Sequence, residues 1–284
     1  MLKILIYGVN GYIGSNLKLY LEKDNVKIIY SNYSKIENDK QILDDINRLK
    51  PDRIISCIGL VKFNDDNNIV YSTSFLNKSD FLKDNLNTNL YIHILLSNIC
   101  KKNKIHFTYI GTGCIYSCNN SNHSFDEEDE PNFDTNNYSL VKGLTDKILS
   151  LDKEEILIIR LRQCINNDSS QQNFLVKFLN FETISNVQNS YTVIPSIFPL
   201  ISKLIINAKT GKFNCVNKNT TSVKDIVELF GKKKYRLYDD EEMYKNYSNN
   251  QLSVNKLNKI YRVETIQQAL INLKENWQYK YNEY

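Results

Sequence analysis

Up to about residue 162 the chain alternates short, nearly continuous apolar runs with longer segments whose apolar positions recur every three or four residues. Leu2 to Tyr7 is almost wholly apolar after Lys3, as a strand buried on both faces of a parallel sheet requires. Val26 to Tyr30, Arg53 to Ile58, Ile105 to Ile110 and Ile156 to Leu161 repeat that pattern. Between them Asn16 to Lys23, Asp39 to Leu49, Phe81 to Lys102 and Asn136 to Leu149 read as helices. The second stops short of Pro51, because a proline drives the residue before it out of helical geometry. The third carries Leu82, Leu86, Leu90, Ile94 and Leu95 at helical spacing and is expected to be the longest. Residues 60–79 have no clear period and are expected to form a loop, including the Asn-rich stretch around Asn64 to Asn68. Strands and helices alternating over short connections imply an α/β fold, a doubly wound parallel sheet covered on both faces.

Past Arg162 the rhythm becomes irregular. Ser170 to Asn180, Pro199 to Ala208, Val223 to Phe230 and Val263 to Leu273 read as helices, and Lys212 to Val216 as a strand. Composition narrows the classes without changing this picture. With 284 residues, 42% of them hydrophobic, the chain can bury a sizeable core. A net charge of +4, with Lys scattered among Asp and Glu, leaves no basic stripe for nucleic acid. No apolar run reaches membrane-spanning length, and Met1 leads straight into a strand pattern without a basic leader and cleavage site, so a cytoplasmic protein is expected. Six Cys, at 57, 100, 114, 118, 164 and 215, show no C-x-x-C spacing and indicate neither a disulfide framework nor a zinc site.

Gly8-Val9-Asn10-Gly11-Tyr12-Ile13-Gly14 follows the first strand directly and opens the first helix. Glycines at this spacing let the backbone turn tightly, approach a pyrophosphate and pack on the sheet, while the helix N-terminus favours the phosphate charge. Three of only nine glycines fall in these seven residues, in the context the motif needs, so a Rossmann-type dinucleotide site is expected. The second strand ends at Ser31-Asn32 rather than at an acidic residue that would bond the NAD ribose and repel a 2′-phosphate, and Lys35 follows. That ending leans toward NADP(H), although a solvated Lys35 would look the same. Cys57-Ile58-Gly59 ends the third strand and is expected to sit over the cofactor. The organisation expected is a dinucleotide-binding domain over 1–162, with returning segments near 190–215, and a smaller, interleaved, mainly substrate-binding region over 163–284.

Tyr138-Ser139-Leu140-Val141-Lys142 lies on a predicted helix, where residues four apart share a face. A phenol, with an ordinary pKa of about 10, gives up its proton more readily beside an ammonium. Alone, Y-x-x-x-K also describes a solvated helix with a half-buried Tyr. Thr112 and Cys114 come just past the end of the fourth strand. The acidic run Asp126 to Glu130 reads as a solvated loop rather than a metal site, and the scattered His93, His106 and His123 are assigned no catalysis.

The Gly-rich turn, Thr112 and the Tyr138/Lys142 pair, in this order, resemble an extended short-chain dehydrogenase/reductase. Thr-Gly-Cys-Ile-Tyr at 112–116, Glu-Glu-Asp-Glu-Pro-Asn-Phe at 127–133, Tyr-Ser-Leu-Val-Lys at 138–142, Arg-Leu-Arg at 160–162, Asn-Phe-Leu-Val-Lys at 173–177 and Ser-Asn-Asn-Gln-Leu at 248–252 resemble more narrowly the nucleotide-rhamnose synthase family. The resemblance implies a bifunctional UDP-4-keto-6-deoxyglucose 3,5-epimerase/4-reductase that makes UDP-L-rhamnose with NADPH and forms a homodimer. The chain departs from the family at Tyr247, where an Arg is usual, and at Val61-Lys62-Phe63-Asn64, which replaces a basic motif. Larger plant-type relatives carry a 4,6-dehydratase domain to which nothing here corresponds, so a separate enzyme is expected to supply the keto sugar.

Transferred residue by residue, the resemblance makes Tyr138 the acid, Lys142 its electrostatic partner and ribose ligand, and Thr112 the second donor to the carbonyl oxygen. Cys114 becomes the base that removes the protons on carbons 3 and 5. A free thiol is only a few per cent thiolate at neutral pH, so this role calls for local positive charge. Read without the family, Cys114 also fits a small buried hydrophobe. Lys177 becomes the acid on the opposite face, or else a lysine snorkelling from the apolar side of its helix. Arg162 and Asn173 are candidate ligands of the diphosphate or sugar, and Asn249 and Asn250 of the nucleotide. A monofunctional 4-keto-6-deoxy sugar-nucleotide reductase and a catalytically silent NADP-binding regulatory subunit are the alternatives.

Overall fold

Six strands form one parallel sheet in a computed structural model that describes residues 1–61, 63–65, 68–70, 72–118 and 123–277. They are β1 (Lys3–Tyr7), β2 (Lys27–Ile29), β3 (Arg53–Ser56), β4 (His106–Thr112), β5 (Leu157–Leu161) and β6 (Gly211–Asn214), in the spatial order β6-β5-β4-β3-β1-β2. Ile4, Leu5, Ile54, Ile55, Phe107, Ile158 and Ile159 are fully or almost fully buried, which is why these stretches lack polar alternation. The chain winds outward from β1 to β2 and then returns to lay β3 on the other side of β1. In doubly wound sheets this reversal opens a crevice at the carboxyl ends of the two strands, where ligands bind.

Two compact units divide the chain: Met1–Thr112 with Asn136–Ile159 and Phe198–Phe213, and Gly113–Thr135 with Arg160–Ile197 and Asn214–Tyr284. Leu5, Ile42, Ile54, Leu96 and Phe107 centre the core of the first unit, and Leu175, Phe178, Tyr191, Ile226, Ile266 and Leu270 that of the second. The helix Asp39–Leu49 has the bounds read from the sequence, with the Asn38 side chain capping its start and Lys50 leaving it in the left-handed conformation at φ 47°.

Several expectations need correction. Residues 60–79 are not an irregular loop throughout: Phe63–Asp65 pairs antiparallel with Asn68–Val70, and the short 3-10 turns Ser74–Asn77 and Ser79–Phe81 set Phe75 edge-to-face against Phe81, ring centres 4.9 Å apart. Lys62 of the departing 61–64 motif lies outside the described residues. The long helix begins at Leu82 and is interrupted by a π-helical stretch, Asn87–Tyr91, between α-helical Leu82–Leu86 and Ile92–Lys102. Leu82 and Leu86, expected to face the core, are exposed, whereas Asn85 and Asn89 are fully buried. Side-chain amides that bond backbone groups have displaced the leucines from the inner face. Only Phe174–Asn180 of the predicted 170–180 helix is helical.

The helix around Pro199 begins earlier, at Ile194, with Pro199 inside it. Pro195 supports that start, because its missing N–H costs nothing in a first turn. The short polar helices Asp240–Asn246 and Asn255–Ile260 carried no usable apolar period. No helix among the described residues is long and apolar enough to cross a membrane.

Candidate functional site

At the crevice between β1 and β3, Gly8 has φ +80°, and a Cβ there would lie 2.8 Å from the carbonyl group of Cys57. The Cys57 N–H donates to the Tyr7 carbonyl at 2.9 Å, so the two strand ends are drawn together below the turn. Gly14 is tighter, since its Cβ would stand 2.2 Å from the Gly8 carbonyl oxygen. Gly11 is the N-cap of the helix Tyr12–Glu22 and has no side chain to satisfy the first-turn N–H groups. Gly8, Asn10 and Gly11 are exposed, Tyr12 and Ile13 half-buried. A glycine cradle of this shape at a helix N-terminus fits a dinucleotide's pyrophosphate.

Beyond β2, the Ser31 hydroxyl accepts the Tyr33 N–H at 3.0 Å, and Asn32 is exposed. Lys35 pairs with Glu37 at 3.2 Å, both largely solvated, so part of its charge is met within its own loop. Ile58 is half-buried and Gly59 exposed beyond β3, while burial pushes the Cys57 thiol up to about 12, which makes it inert.

Thr112 is the last residue of β4 and is half-buried. The helix Asn137–Ser150 is capped by the Asn136 side chain, which accepts the Ser139 N–H at 2.8 Å. Tyr138 sits half-buried in its first turn, and one turn on Lys142 is 4% exposed, its Nζ 4.6 Å from the centre of the Tyr109 ring. An ammonium so placed gains cation–π attraction within a desolvated wall.

A chain of amides that sequence reasoning missed supports this pair. The Leu60 N–H donates to Asn89 Oδ1 at 3.1 Å, Asn89 Nδ2 to Asn85 Oδ1 at 2.9 Å, and Asn85 Nδ2 to the Asn137 carbonyl at 3.1 Å. The network therefore runs from the loop after β3 to the residue before Tyr138. Thr145 donates its hydroxyl to the Asn89 carbonyl at 2.7 Å and so ties the π-helical stretch to the same helix. His93 accompanies them: fully buried, it shares a 3.0 Å bond with Ser56 Oγ and stands edge-on to Tyr109. Burial first, and the Lys142 charge second, hold its imidazole well below its usual range.

In the second unit Arg162, 2% exposed, donates from Nη1 to Cys114 Sγ at 2.7 Å. Its Nη2 donates to Asn189 Oδ1 at 3.0 Å and to the Ser248 carbonyl. Cys114 is half-buried; Cys118 is buried, its thiol raised by burial and donating to the His123 carbonyl. Asn249 and Asn250 are 1% and 0% exposed. Asn249 Nδ2 donates to the carbonyls of Met243 and Tyr247, and Asn250 Nδ2 to those of Gly113 and Tyr116 at 2.9 and 3.1 Å. That geometry makes Asn250 a clamp on the Cys114 segment and Asn249 a clamp on the end of the helix Asp240–Asn246. Asn173, fully buried, caps Phe174–Asn180 and gives its amide hydrogens to the carbonyls of Asn166 and Asp168.

Lys177 lies with its Nζ 4.8 Å from the Phe174 ring centre, and desolvation lowers its pKa. The structure thus groups Thr112, Tyr138 and Lys142 with the glycine turn in one unit, and Cys114, Arg162, Asn249 and Asn250 in the other. In the acidic stretch, Asp126 and Asp129 accept backbone N–H groups of their own loop. No group of three or more His, Cys, Asp or Glu among the described residues could hold a metal ion.

The family described as the NAD dependent epimerase/dehydratase family matches residues 4–156. The chain is 33% identical over 233 residues to an uncharacterised protein of Acanthamoeba polyphaga mimivirus, covering 80% of this chain and 78% of that protein. It is 26% identical over 273 residues to a bifunctional dTDP-4-dehydrorhamnose 3,5-epimerase/dTDP-4-dehydrorhamnose reductase of Arabidopsis thaliana, covering 89% and 85%. A crystal structure of a UDP-rhamnose synthase from Acanthamoeba polyphaga mimivirus superimposes with a TM-score of 0.89 at 29% identity, over 96% of this chain and 99% of that one.

Proposed function

The chain belongs to the NAD dependent epimerase/dehydratase family, and from that premise we propose that it is an NADPH-dependent bifunctional 3,5-epimerase/4-reductase converting UDP-4-keto-6-deoxy-D-glucose to UDP-L-rhamnose. The observations that support this most are the family-type Tyr138/Lys142 helix in the first unit and, in the second, a half-buried Cys114 thiol bonded by a buried guanidinium. Gly8, Asn10, Gly11, Tyr12, Ile13 and Gly14 would hold the cofactor's pyrophosphate, Ser31, Asn32 and Lys35 its adenosine side, and Cys57, Ile58 and Gly59 its nicotinamide side. The lack of an acidic residue after β2 supports NADP, with Lys35 shared between Glu37 and the 2′-phosphate.

In this reading the Thr112 and Tyr138 hydroxyls bond the C4 carbonyl oxygen, which acidifies the protons on carbons 3 and 5. The Cys114 thiolate removes each proton on one face, the enolate charge resting on the C4 oxygen. Lys177 returns a proton from the other face, which its desolvated ammonium surrenders more readily. Solvent exchange then resets the thiol and the amine. When bound, the nicotinamide supplies hydride to carbon 4, and Tyr138 gives its proton to the oxygen beside the Lys142 charge. The clamped side chains of Asn173, Asn249 and Asn250 serve this chemistry by shaping the segments that meet the sugar nucleotide.

We place the enzyme in the cytoplasm, where its free thiols stay reduced. We also propose a homodimer through the helices 82–102 and 137–150, whose exposed Leu82, Leu86, Tyr91, Leu140, Leu144 and Ile148 leave apolar surface in the first unit. A monomeric mass in solution would remove that assembly.

The deciding experiment is NMR of the product from UDP-4-keto-6-deoxyglucose and NADPH in deuterated water. UDP-L-rhamnose carrying deuterium at carbons 3 and 5 is expected. Product labelled at neither carbon would leave a reductase alone, and tight NADP binding without turnover would leave a regulatory subunit.

A further inference from the structure

We propose that Arg162 is the positioning residue that holds the Cys114 thiol as a proton acceptor, and not a ligand of the substrate's diphosphate; the catalytic part of this rests on the epimerase reading above. The guanidinium is fixed from several sides. Nη2 donates to Asn189 Oδ1 and the Ser248 carbonyl and Nη1 to Cys114 Sγ at 2.7 Å, while the main-chain N–H of the same residue donates to Thr192 Oγ1 at 3.0 Å. Asn189 is itself held, because its Oδ1 accepts the Asn250 N–H at 3.0 Å and its Nδ2 donates to Asn249 Oδ1 at 3.0 Å. A diphosphate ligand needs donors directed at the ligand, and here three of the guanidinium's five N–H groups already bond protein acceptors while Nε is buried.

The charge balance points the same way. Arg162 is 2% exposed and, among the described residues, its guanidinium bonds a thiol, an amide oxygen and a carbonyl but no carboxylate. Burying a guanidinium without a counter-charge is costly, and an arginine in a protein does not give up its proton. The bond from Nη1 therefore sets a fixed positive charge directly against Cys114 Sγ, and that placement assigns the thiol, rather than a bound diphosphate, as the group the guanidinium serves. Cys118, four residues along, donates its thiol to the His123 carbonyl; the more distant Arg162 charge acts on it too, but burial dominates and raises its pKa.

The test is the rate at which iodoacetamide alkylates each cysteine of the full-length protein at neutral pH, read by peptide mass spectrometry, for wild type, Arg162→Lys and Arg162→Met. Selective slowing at Cys114 by about tenfold or more is expected in Arg162→Met, with partial recovery in Arg162→Lys, whose ammonium keeps the charge but not the fork. Loosening of the fold would instead speed labelling at Cys118; in that event Asn189→Ser, which removes one guanidinium bond and keeps the charge, should still slow Cys114.

With the UDP-keto sugar, the rate of deuterium exchange at saturation should fall while KM holds. Unchanged alkylation of Cys114 in both Arg162→Met and Asn189→Ser, or a raised KM at unchanged saturated exchange, would overturn the proposal. Because alkylation uses no sugar, selective slowing without turnover on any keto sugar would keep the role of Arg162 in activating the thiol and reject the epimerase reading instead.

Discussion

Arg162 Nη1 and Cys114 Sγ stand 2.7 Å apart, a permanent cation against the thiol assigned to proton abstraction. The charged group beside the thiol belongs to a residue 48 positions along the chain, one that the sequence alone suggested as a substrate ligand. Cys114→Ser keeps an acceptor for the guanidinium but replaces the thiol with an alcohol that is a far weaker acid. Deuterium incorporation at carbons 3 and 5 should fall by about 10²-fold or more, while NADPH affinity and reduction of an already epimerised 4-keto sugar persist. Exchange at the wild-type rate would move the base elsewhere.

Gly14→Ala tests the cofactor turn. Its new Cβ would lie 2.2 Å from the Gly8 oxygen and 2.8 Å from Val9 Cα, both backbone atoms that cannot swing aside. The helix must shift, at a cost of about 1–3 kcal/mol, and with it the N–H groups facing the pyrophosphate. A lower Tm and weakened NADPH binding by calorimetry are expected. Gly59→Ala is the control for Tm alone, since its Cβ meets only Asn89 Oδ1 at an ordinary 3.7 Å. Equal losses of Tm from the two substitutions would contradict the steric account.

Asn85→Ala breaks the amide chain ahead of Tyr138. It leaves the Asn137 carbonyl and the Asn89 amide each short of a partner in a buried setting, a loss of about 1–3 kcal/mol for such a group. Thermal melting should report that loss. Because the affected carbonyl belongs to the residue before Tyr138, kcat should drop with KM for the sugar nucleotide little changed. A lower Tm with full kcat would confine the network to stability.

His93 sets an acid limit. Its folded pKa lies well below the usual value, whereas the unfolded chain takes up this proton near pH 6.5. Between those values the unfolded state binds more protons, so stability rises with pH and is lost as pH falls below about 6.5. His93→Asn, which can keep a bond to Ser56, should show a shallower decline of Tm between pH 7 and pH 5 than wild type. His106, also lowered by burial, contributes with the same sign to both proteins. Identical slopes would clear His93 of this role.

Much of this was legible from residue pattern. The buried strands announced themselves because burial on two faces removes polar alternation, and Asp39–Leu49 could be bounded because Asn38 and Lys50 do the capping locally. The glycine turn was legible for the same reason: its chemistry lies within seven consecutive residues. The π-helical stretch was not, since Leu82, Leu86 and Leu90 keep a perfect helical period while Asn85 and Asn89 take the inner face through bonds to distant backbone. Nor were the bonds of Arg162 to Cys114 and of Asn250 to Gly113, which span 48 and 137 residues. Such pairings depend on tertiary folding, and no local spacing encodes them.

The Asn250 clamp also sets an order of assembly. Its side chain holds the carbonyls of Gly113 and Tyr116, 137 and 134 residues earlier, and the neighbouring Ser248 carbonyl holds Arg162. The glycine turn, Thr112, Tyr138 and Lys142 belong to a unit that is complete by Phe213. On a chain growing from its N-terminus, the groups assigned to reduction can therefore be in place while the thiol still lacks its surroundings. The environment of Cys114 closes only after residue 250 has been synthesised, which makes the C-terminal stretch the gatekeeper of one half of the chemistry.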